Sequence, residues 1–337
     1  MPATRCGNNY STLKKRVIIR AEGGPQTGLG HIIRSIALAE MLCAEYDIIF
    51  LTNFLTPAIE QMLEGVAGSY ARINGFTHAA EEWNNLQPYV QQEDIFVFDG
   101  YCFDTSIQQI IKEHGYRLVC IDDIHAYPYL ADAVINHSGG FSKNDYQLAP
   151  YSTLYSGLEY CLLRKPFREA AREQKHIQPN NQCLICFGGA DPDNDTLKTL
   201  EQLVPAYPHL QFHVVTGSAY AYNDSLVKYK ENTGIRFYSN LDAASLCSLM
   251  QQCGMAVTPP STTAYEYLSV KGILYLKVIA SNQEQMFRYL TGERLALPLE
   301  LFGGNDHLTA VDTAKINSIF DGRQQERLLD IFRRLNR

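Results

Sequence analysis

Short apolar runs that read as strands alternate along this chain with amphipathic stretches that read as helices. Val17-Ile18-Ile19 is the first such strand. A loop from Arg20 to Gly30 follows, and His31-Ile32-Ile33-Arg34 then opens a helix that continues through Ala37-Leu38-Ala39. Residues 47–51 form a second strand, and Ile59, Met62 and Leu63 follow at helical spacing. Beyond a weaker aromatic and polar region reaching Trp83, residues 94–98, 118–121 and 133–135 read as further strands. The pattern resumes with strands over 183–187, 211–216, 235–238, 255–258 and 274–280. Helices are predicted over 194–203, 244–252 and 316–332. This alternation predicts an α/β fold with parallel sheets. The second half repeats the architecture of the first without repeating its sequence.

A boundary falls between residues 164 and 181. The charged stretch 168–175 reads as a short helix and Gln178-Pro179-Asn180-Asn181 as a linker, giving domains over 1–165 and 183–337 joined by 166–182. A length of 337 residues fits two domains of ordinary size, and 46% hydrophobic against 19% charged residues supplies ample core material.

The net charge of −7 comes from interspersed acids with no basic stripe, which argues against a nucleic-acid partner. No apolar run is long enough to cross a bilayer, and none follows Lys14-Lys15-Arg16 as a signal peptide would require. A cytoplasmic protein without a membrane partner is expected. Nine cysteines scattered through apolar segments read as reduced thiols. Cys183 and Cys186 lie on a strand, where positions three apart face opposite ways, and no second pair at zinc spacing follows; no metal is expected.

Candidate chemistry gathers at strand ends. At Gly28-Leu29-Gly30-His31 a glycine turn hands over to a helix N-terminus, whose free N–H groups attract anionic or polar groups. A histidine there is disfavoured as the imidazolium and suits a general base, although a plain turn with a surface histidine fits the same residues. Asp99-Gly100-Tyr101, Asp122-Asp123 and Asn136 each stand just past an apolar strand, where open α/β sheets bind ligands. After residue 258, Pro259-Pro260-Ser261-Thr262-Thr263-Ala264-Tyr265-Glu266 offers hydroxyl and backbone donors at a helix start, with a carboxylate one turn on. Asn282-Gln283 stands at the next helix start. Gly188-Gly189-Ala190-Asp191-Pro192 forms another turn, in which Asp191 suits an N-cap and Pro192 a first helical turn.

Ile19-Arg20-Ala21-Glu22, Gly28-x-Gly30-His31-x-x-Arg34 and the distant Asn282-Gln283 resemble the UDP-2,4-diacetamido-2,4,6-trideoxy-β-L-altropyranose hydrolases of pseudaminic acid biosynthesis, relatives of GT-B glycosyltransferases. The resemblance spans most of residues 17–290. It implies a GT-B-like fold: two Rossmann-like, doubly wound parallel-sheet domains facing a central cleft, the second holding UDP and its C-terminal helix crossing back to the first. It also implies metal-independent, inverting hydrolysis of the UDP-sugar to free sugar and UDP, with no cofactor and with water as the second substrate. His31 would then take a proton from water, while Tyr101 and Asn282 hold the water or the sugar. Arg20, Glu22, Gly30, Asp99 and Gln283 would line or position the substrate. Ser261 and Thr262, aided by Gly188 and Gly189, would hold the diphosphate and Glu266 the ribose. Arg34 would fix local geometry. Glu22 stands where relatives often carry Asp. Pro259 and Pro260 stand where many carry Gly, and proline supplies no N–H. A GT-B glycosyltransferase using a UDP-sugar donor, or a non-catalytic nucleotide-sugar-binding protein, would share these motifs.

Overall fold

The computed structural model describes residues 14–24, 27–173, 180–303 and 307–336. The first lobe runs β1 (Arg16–Ala21), α1 (Gly30–Leu42), β2 (Asp47–Thr52), α2 (Pro57–Leu63), β3 (Ser69–Arg72), α3 (Ala79–Leu86), β4 (Ile95–Asp99), α4 (Thr105–Glu113), β5 (Arg117–Ile121), β6 (Ala133–Asn136) and β7 (Thr153–Ser156). After α5 (Lys165–Ala171) the second lobe runs β8 (Gln182–Cys186), α6 (Asp195–Ala206), β9 (Gln211–Thr216), β10 (Ile235–Ser239), α7 (Ala243–Gln252), β11 (Met255–Thr258), α8 (Thr262–Ser269), β12 (Ile273–Leu276), α9 (Glu284–Gly292) and β13 (Leu297–Pro298). The chain ends with α10 (His307–Ala310), α11 (Thr313–Ile319) and α12 (Gln324–Leu335).

The strand orders are β3-β2-β1-β4-β5-β6-β7 and β10-β9-β8-β11-β12-β13. The pairings that build both sheets are parallel, as the alternating pattern predicts. Central strands such as β1 and β4 are buried along nearly their whole length, because helices cover both faces of a parallel sheet. In each sheet the order reverses at one point, between β1 and β4 and between β8 and β11. A crevice opens outside the strand ends there. His31 follows β1 and Tyr101 follows β4; Gly188 follows β8 and Ser261 follows β11.

Several elements differ from expectation for local reasons. β3 and β7 are edge strands with half-exposed side chains, so they lack the apolar run that betrays a buried strand. The helix expected over 168–175 is α5, which begins earlier at Lys165 with Pro166 in its first turn; residues 174–179, including Gln178 and Pro179 of the expected linker, lie outside the described residues. The helix expected over 316–332 is two helices, broken at Asp321-Gly322. Gly322 has φ +74°, and a Cβ there would lie 2.7 Å from the carbonyl oxygen of Arg168. Asp191 is not an N-cap residue, since α6 starts at Asp195, but its carboxylate accepts from the N–H groups of Asp195 and Thr196 at 2.8 Å each.

The two lobes exchange elements. Leu158, Leu163, Phe167 and Ala170 pack into the core of the second sheet, whereas Leu328, Ile331 and Phe332 of α12 return to the core that covers β1 and α1. The C-terminal helix therefore crosses back to the first lobe.

Candidate active site

The site is built from a buried ion network beneath the first turn of α1. β1 and β4 are neighbours in register, with Ala21 opposite Asp99, which brings the end of β4 under the start of α1. Asp99 is fully buried, and its Oδ1 lies 2.9 Å from Nδ1 of His31. Arg34, one turn beyond His31, donates to both oxygens of Asp99 at 2.6–3.0 Å, and the Ser35 hydroxyl donates to Oδ2 at 2.8 Å. The same guanidinium reaches outward through Nη1 to Asp123 Oδ2 at 2.7 Å and to His137 Nε2 at 3.3 Å.

Burial, the largest single influence, would push Asp99 and Asp123 up, but the Arg34 charge, its hydrogen bonds and the neighbouring His31 together outweigh it and hold both carboxyls below their ordinary range. Burial, reinforced by Arg34, lowers His137 to about 4, so it is neutral at physiological pH. One cation between two carboxylates leaves this floor negative, which disfavours an anionic ligand group on the first-lobe side. Arg34 Nη2 also lies 2.9 Å from His31 Nδ1, but its shorter bond is to Asp99. The His31 proton gains most on Nδ1, where it faces a carboxylate. Nε2 is then the basic nitrogen, on the opposite edge of the ring.

Above this floor lies a cleft of about 240 Å³ between the lobes, lined by Gly30, His31, Arg34, Tyr101, Asp123 and His137 on one side and by Ser261, Thr262, Tyr265, Asn282, Gln283 and Met286 on the other. Tyr101 stands edge-on to the His31 ring, with centroids 4.6 Å apart and planes at 89°. Its hydroxyl shares a hydrogen bond with the side chain of Asn282, so His31, Tyr101 and Asn282 meet across the cleft. Glu22 does not project into this space. Its Oε2 accepts from the Tyr101 backbone N–H at 3.0 Å, and Gly100 is required beside it, since a Cβ there would lie 2.6 Å from Glu22 Cβ.

On the second lobe Ser261 is the N-cap of α8, yet its side chain makes no capping hydrogen bond, leaving the hydroxyl and the first-turn N–H groups at the cleft. Gln283 lines the cleft while its Oε1 accepts from the Ile279 N–H at 3.0 Å. Gly188 and Gly189 form the turn after β8, outside the cleft lining, where Gly217 packs so tightly that a Cβ on it would lie 2.5 Å from Gly189 Cα.

Besides Glu22, Gly188 and Gly189, two more expected substrate contacts, Arg20 and Glu266, are placed away from the cleft lining, and a third, Asp99, lies beneath the site. Arg20 is 1% exposed, pairs with Glu82 at 2.6 Å and lies over the Phe103 ring, which makes it a core ion pair. Glu266 is 3% exposed, and both its oxygens accept from Arg164, at 2.7 and 3.0 Å, so its carboxylate faces the crossover between lobes, outside the cleft lining. Asp99 touches side chains of α1 and has no surface to offer a ligand. His137 was not among the residues expected here, although it directly follows Asn136, where the rule of polar residues past strand ends pointed.

No family model matches the chain. An uncharacterized protein of Methanocaldococcus jannaschii is 26% identical over 286 residues, 81% of this chain and 57% of that protein, so the chain spans little more than half of that relative. The UDP-2,4-diacetamido-2,4,6-trideoxy-β-L-altropyranose hydrolase of Campylobacter jejuni is 23% identical over 82% of this chain and 96% of its own length. Among solved structures, MurG of Acinetobacter baumannii superposes with a TM-score of 0.57 at 11% identity, covering 95% of this chain and 99% of that one. A Streptomyces glycosyltransferase complexed with thymidine diphosphate reaches 0.60 at 10% identity, covering 95% and 100%. The chain thus has a GT-B-like fold and, by sequence, resembles the UDP-2,4-diacetamido-2,4,6-trideoxy-β-L-altropyranose hydrolases associated with pseudaminic acid.

Proposed function

We propose that this protein cleaves a UDP-2,4-diacetamido-2,4,6-trideoxyhexose, the altropyranose named for its Campylobacter relative, into free sugar and UDP with inversion at the anomeric carbon. The observation that carries the reading is the 2.9 Å contact between His31 Nδ1 and the buried Asp99, at the mouth of an inter-lobe cleft. An imidazole held by a carboxylate at one nitrogen presents a lone pair at the other, the arrangement of an oriented general base.

In this mechanism water lies between His31 Nε2 and the anomeric carbon, on the face opposite UDP. Its O–H proton passes to Nε2 as its oxygen bonds to carbon. The bond from carbon to the β-phosphate oxygen breaks, and the electron pair leaves with UDP. Asp99 stabilises the imidazolium so formed. Tyr101 and Asn282, joined across the cleft, position the sugar or the water. The diphosphate belongs at the start of α8, near Ser261 and Thr262, because the first-lobe floor is negative and a helix N-terminus favours anions.

Proton NMR of the protein mixed with UDP-acetamido sugars tests this. The diacetamido donor should disappear with no acceptor present, and the first anomer to accumulate should be of opposite configuration to the donor. Release of UDP only after an acceptor is added would mean a glycosyltransferase. Binding without turnover under any condition would mean a nucleotide-sugar-binding protein.

A further inference from the structure

Two polar atoms on the first-lobe wall of the cleft are buried with no hydrogen-bonding partner among the described residues: Nδ1 of His137 and Oδ1 of Asp123. Both side chains line the cleft together with His31. A single nitrogen, Arg34 Nη1, holds the other end of each, at 2.7 Å from Asp123 Oδ2 and 3.3 Å from His137 Nε2. His31 Nδ1 has a carboxylate beside it as well as Arg34, but His137 Nε2 has the guanidinium alone as its hydrogen-bonding neighbour among the described residues; a guanidinium only donates, so Nε2 accepts and the ring proton is on Nδ1. The carboxylate of Asp123, ion-paired to Arg34, only accepts. The pair is therefore one donor and one acceptor, each tied at its other end to the same cation and each on a side chain that lines the cleft.

His137 is 3% exposed and stands edge-on to Tyr265 across the lobes, with centroids 5.8 Å apart, so its ring is held in place. Leaving a buried donor and a buried acceptor unpaired costs free energy that a ligand with the complementary pair of groups recovers. A carboxamide has that pair on neighbouring atoms, a carbonyl oxygen and an N–H. A carboxylate would be repelled by Asp123, and an ammonium would meet the donor of His137. Ile124 and Phe141 line the same wall and suit an acyl methyl better than a bare hydroxyl.

We propose that His137 and Asp123 form a subsite for an N-acyl substituent of the bound sugar, with His137 Nδ1–H donating to its carbonyl oxygen and Asp123 Oδ1 accepting from its N–H. The proposal rests on the nucleotide-sugar reading above and assigns the residues that tell an acetamido sugar from a hydroxy sugar.

The test is calorimetric binding of paired UDP-sugars, identical except for acetamido or hydroxyl at one ring carbon, to His31→Ala protein so that turnover does not enter. The acetamido member should bind about tenfold tighter. Adding His137→Leu should erase that preference while UDP alone binds as before, and His137→Asn, which keeps a donor close to the Nδ1 position, should restore most of it. Loss of affinity for both sugars alike, or a preference that survives His137→Leu, overturns the assignment. Should His137→Leu also lose UDP, Asp123→Ala decides, since removing the acceptor must shrink the same preference and an unchanged preference refutes the subsite. A preference that tracks His137 in a protein that never hydrolyses any UDP-sugar would sink the hydrolase reading and leave this subsite standing.

Discussion

Asp99 and His31 lie 68 positions apart, yet the carboxylate of the first sits 2.9 Å beneath the imidazole of the second. Every other side chain that donates to Asp99 comes from Arg34 or Ser35, on the helix that His31 opens. One strand end therefore clamps one helix start, and the histidine is oriented by a group no ligand touches.

His31→Ala should lower turnover by about 10² to 10⁴ while the UDP-sugar still binds. Asp99→Asn, acting through the same imidazole, should lower kcat by a comparable factor with KM little changed, and the double variant should be hardly worse than either single one. Steady-state kinetics on the four proteins check this. Strictly multiplicative losses would mean that the two residues do not act as one unit.

His137 gives stability a pH dependence. Its folded pKa of about 4 lies below the ordinary value near 6.5, so as pH falls through that window the unfolded chain takes up a proton that the folded one refuses. Stability should therefore be flat above about pH 6.5 and fall toward pH 4, by about 3 kcal/mol from this group alone. Asp99 and Asp123, held below the ordinary carboxylate range, act in the same direction at still lower pH. Urea unfolding of wild type and His137→Asn at pH 7 and pH 5 measures the difference; equal slopes would remove His137 as the cause.

The Arg164–Glu266 pair joins the crossover segment to α8 through two short hydrogen bonds, with Glu266 buried and Arg164 largely so. Glu266→Ala leaves the guanidinium uncompensated and should cost about 3 kcal/mol. Thermal unfolding and a double-mutant cycle with Arg164→Ala should give a coupling above about 1 kcal/mol. UDP affinity should respond alike to either single change. A loss confined to Glu266→Ala would return this carboxylate to the ribose.

Gly139 and Tyr289 make a further bridge between the lobes, since a Cβ on Gly139 would fall 1.8 Å from the Tyr289 ring. Gly139→Ala should push α9 away from the loop after β6, cost about 1–3 kcal/mol and raise KM more than it lowers kcat. Tyr289→Ala in the same chain should recover part of the KM. No change in KM would mean that this contact does not set the width of the cleft.

The two parallel sheets were legible because strands buried on both faces write uninterrupted apolar runs such as Val17-Ile18-Ile19 and Cys183-Leu184-Ile185-Cys186. β3 and β7 were not legible, because an edge strand carries no such run. The positions just past strand ends likewise pointed to Tyr101, and the small-residue turns at helix starts to His31 and Ser261; all three line one cleft, and the strand-end rule carried one residue beyond Asn136 would have found His137.

Local pattern, then, settles which segments are strands and helices and where polar groups emerge from a sheet, since periodicity and turn chemistry act over a few residues. It does not settle which charges meet. Arg34 joins partners 65, 89 and 103 positions away, and Glu266 is claimed by Arg164 across 102. A carboxylate in a loop or on a helix reads the same whether it ends against a guanidinium or in open solvent. That choice follows from how the sheets and the crossing segments pack, and here it turned Glu266 and Arg20 into structural ion pairs and made Arg34 the hub of the site.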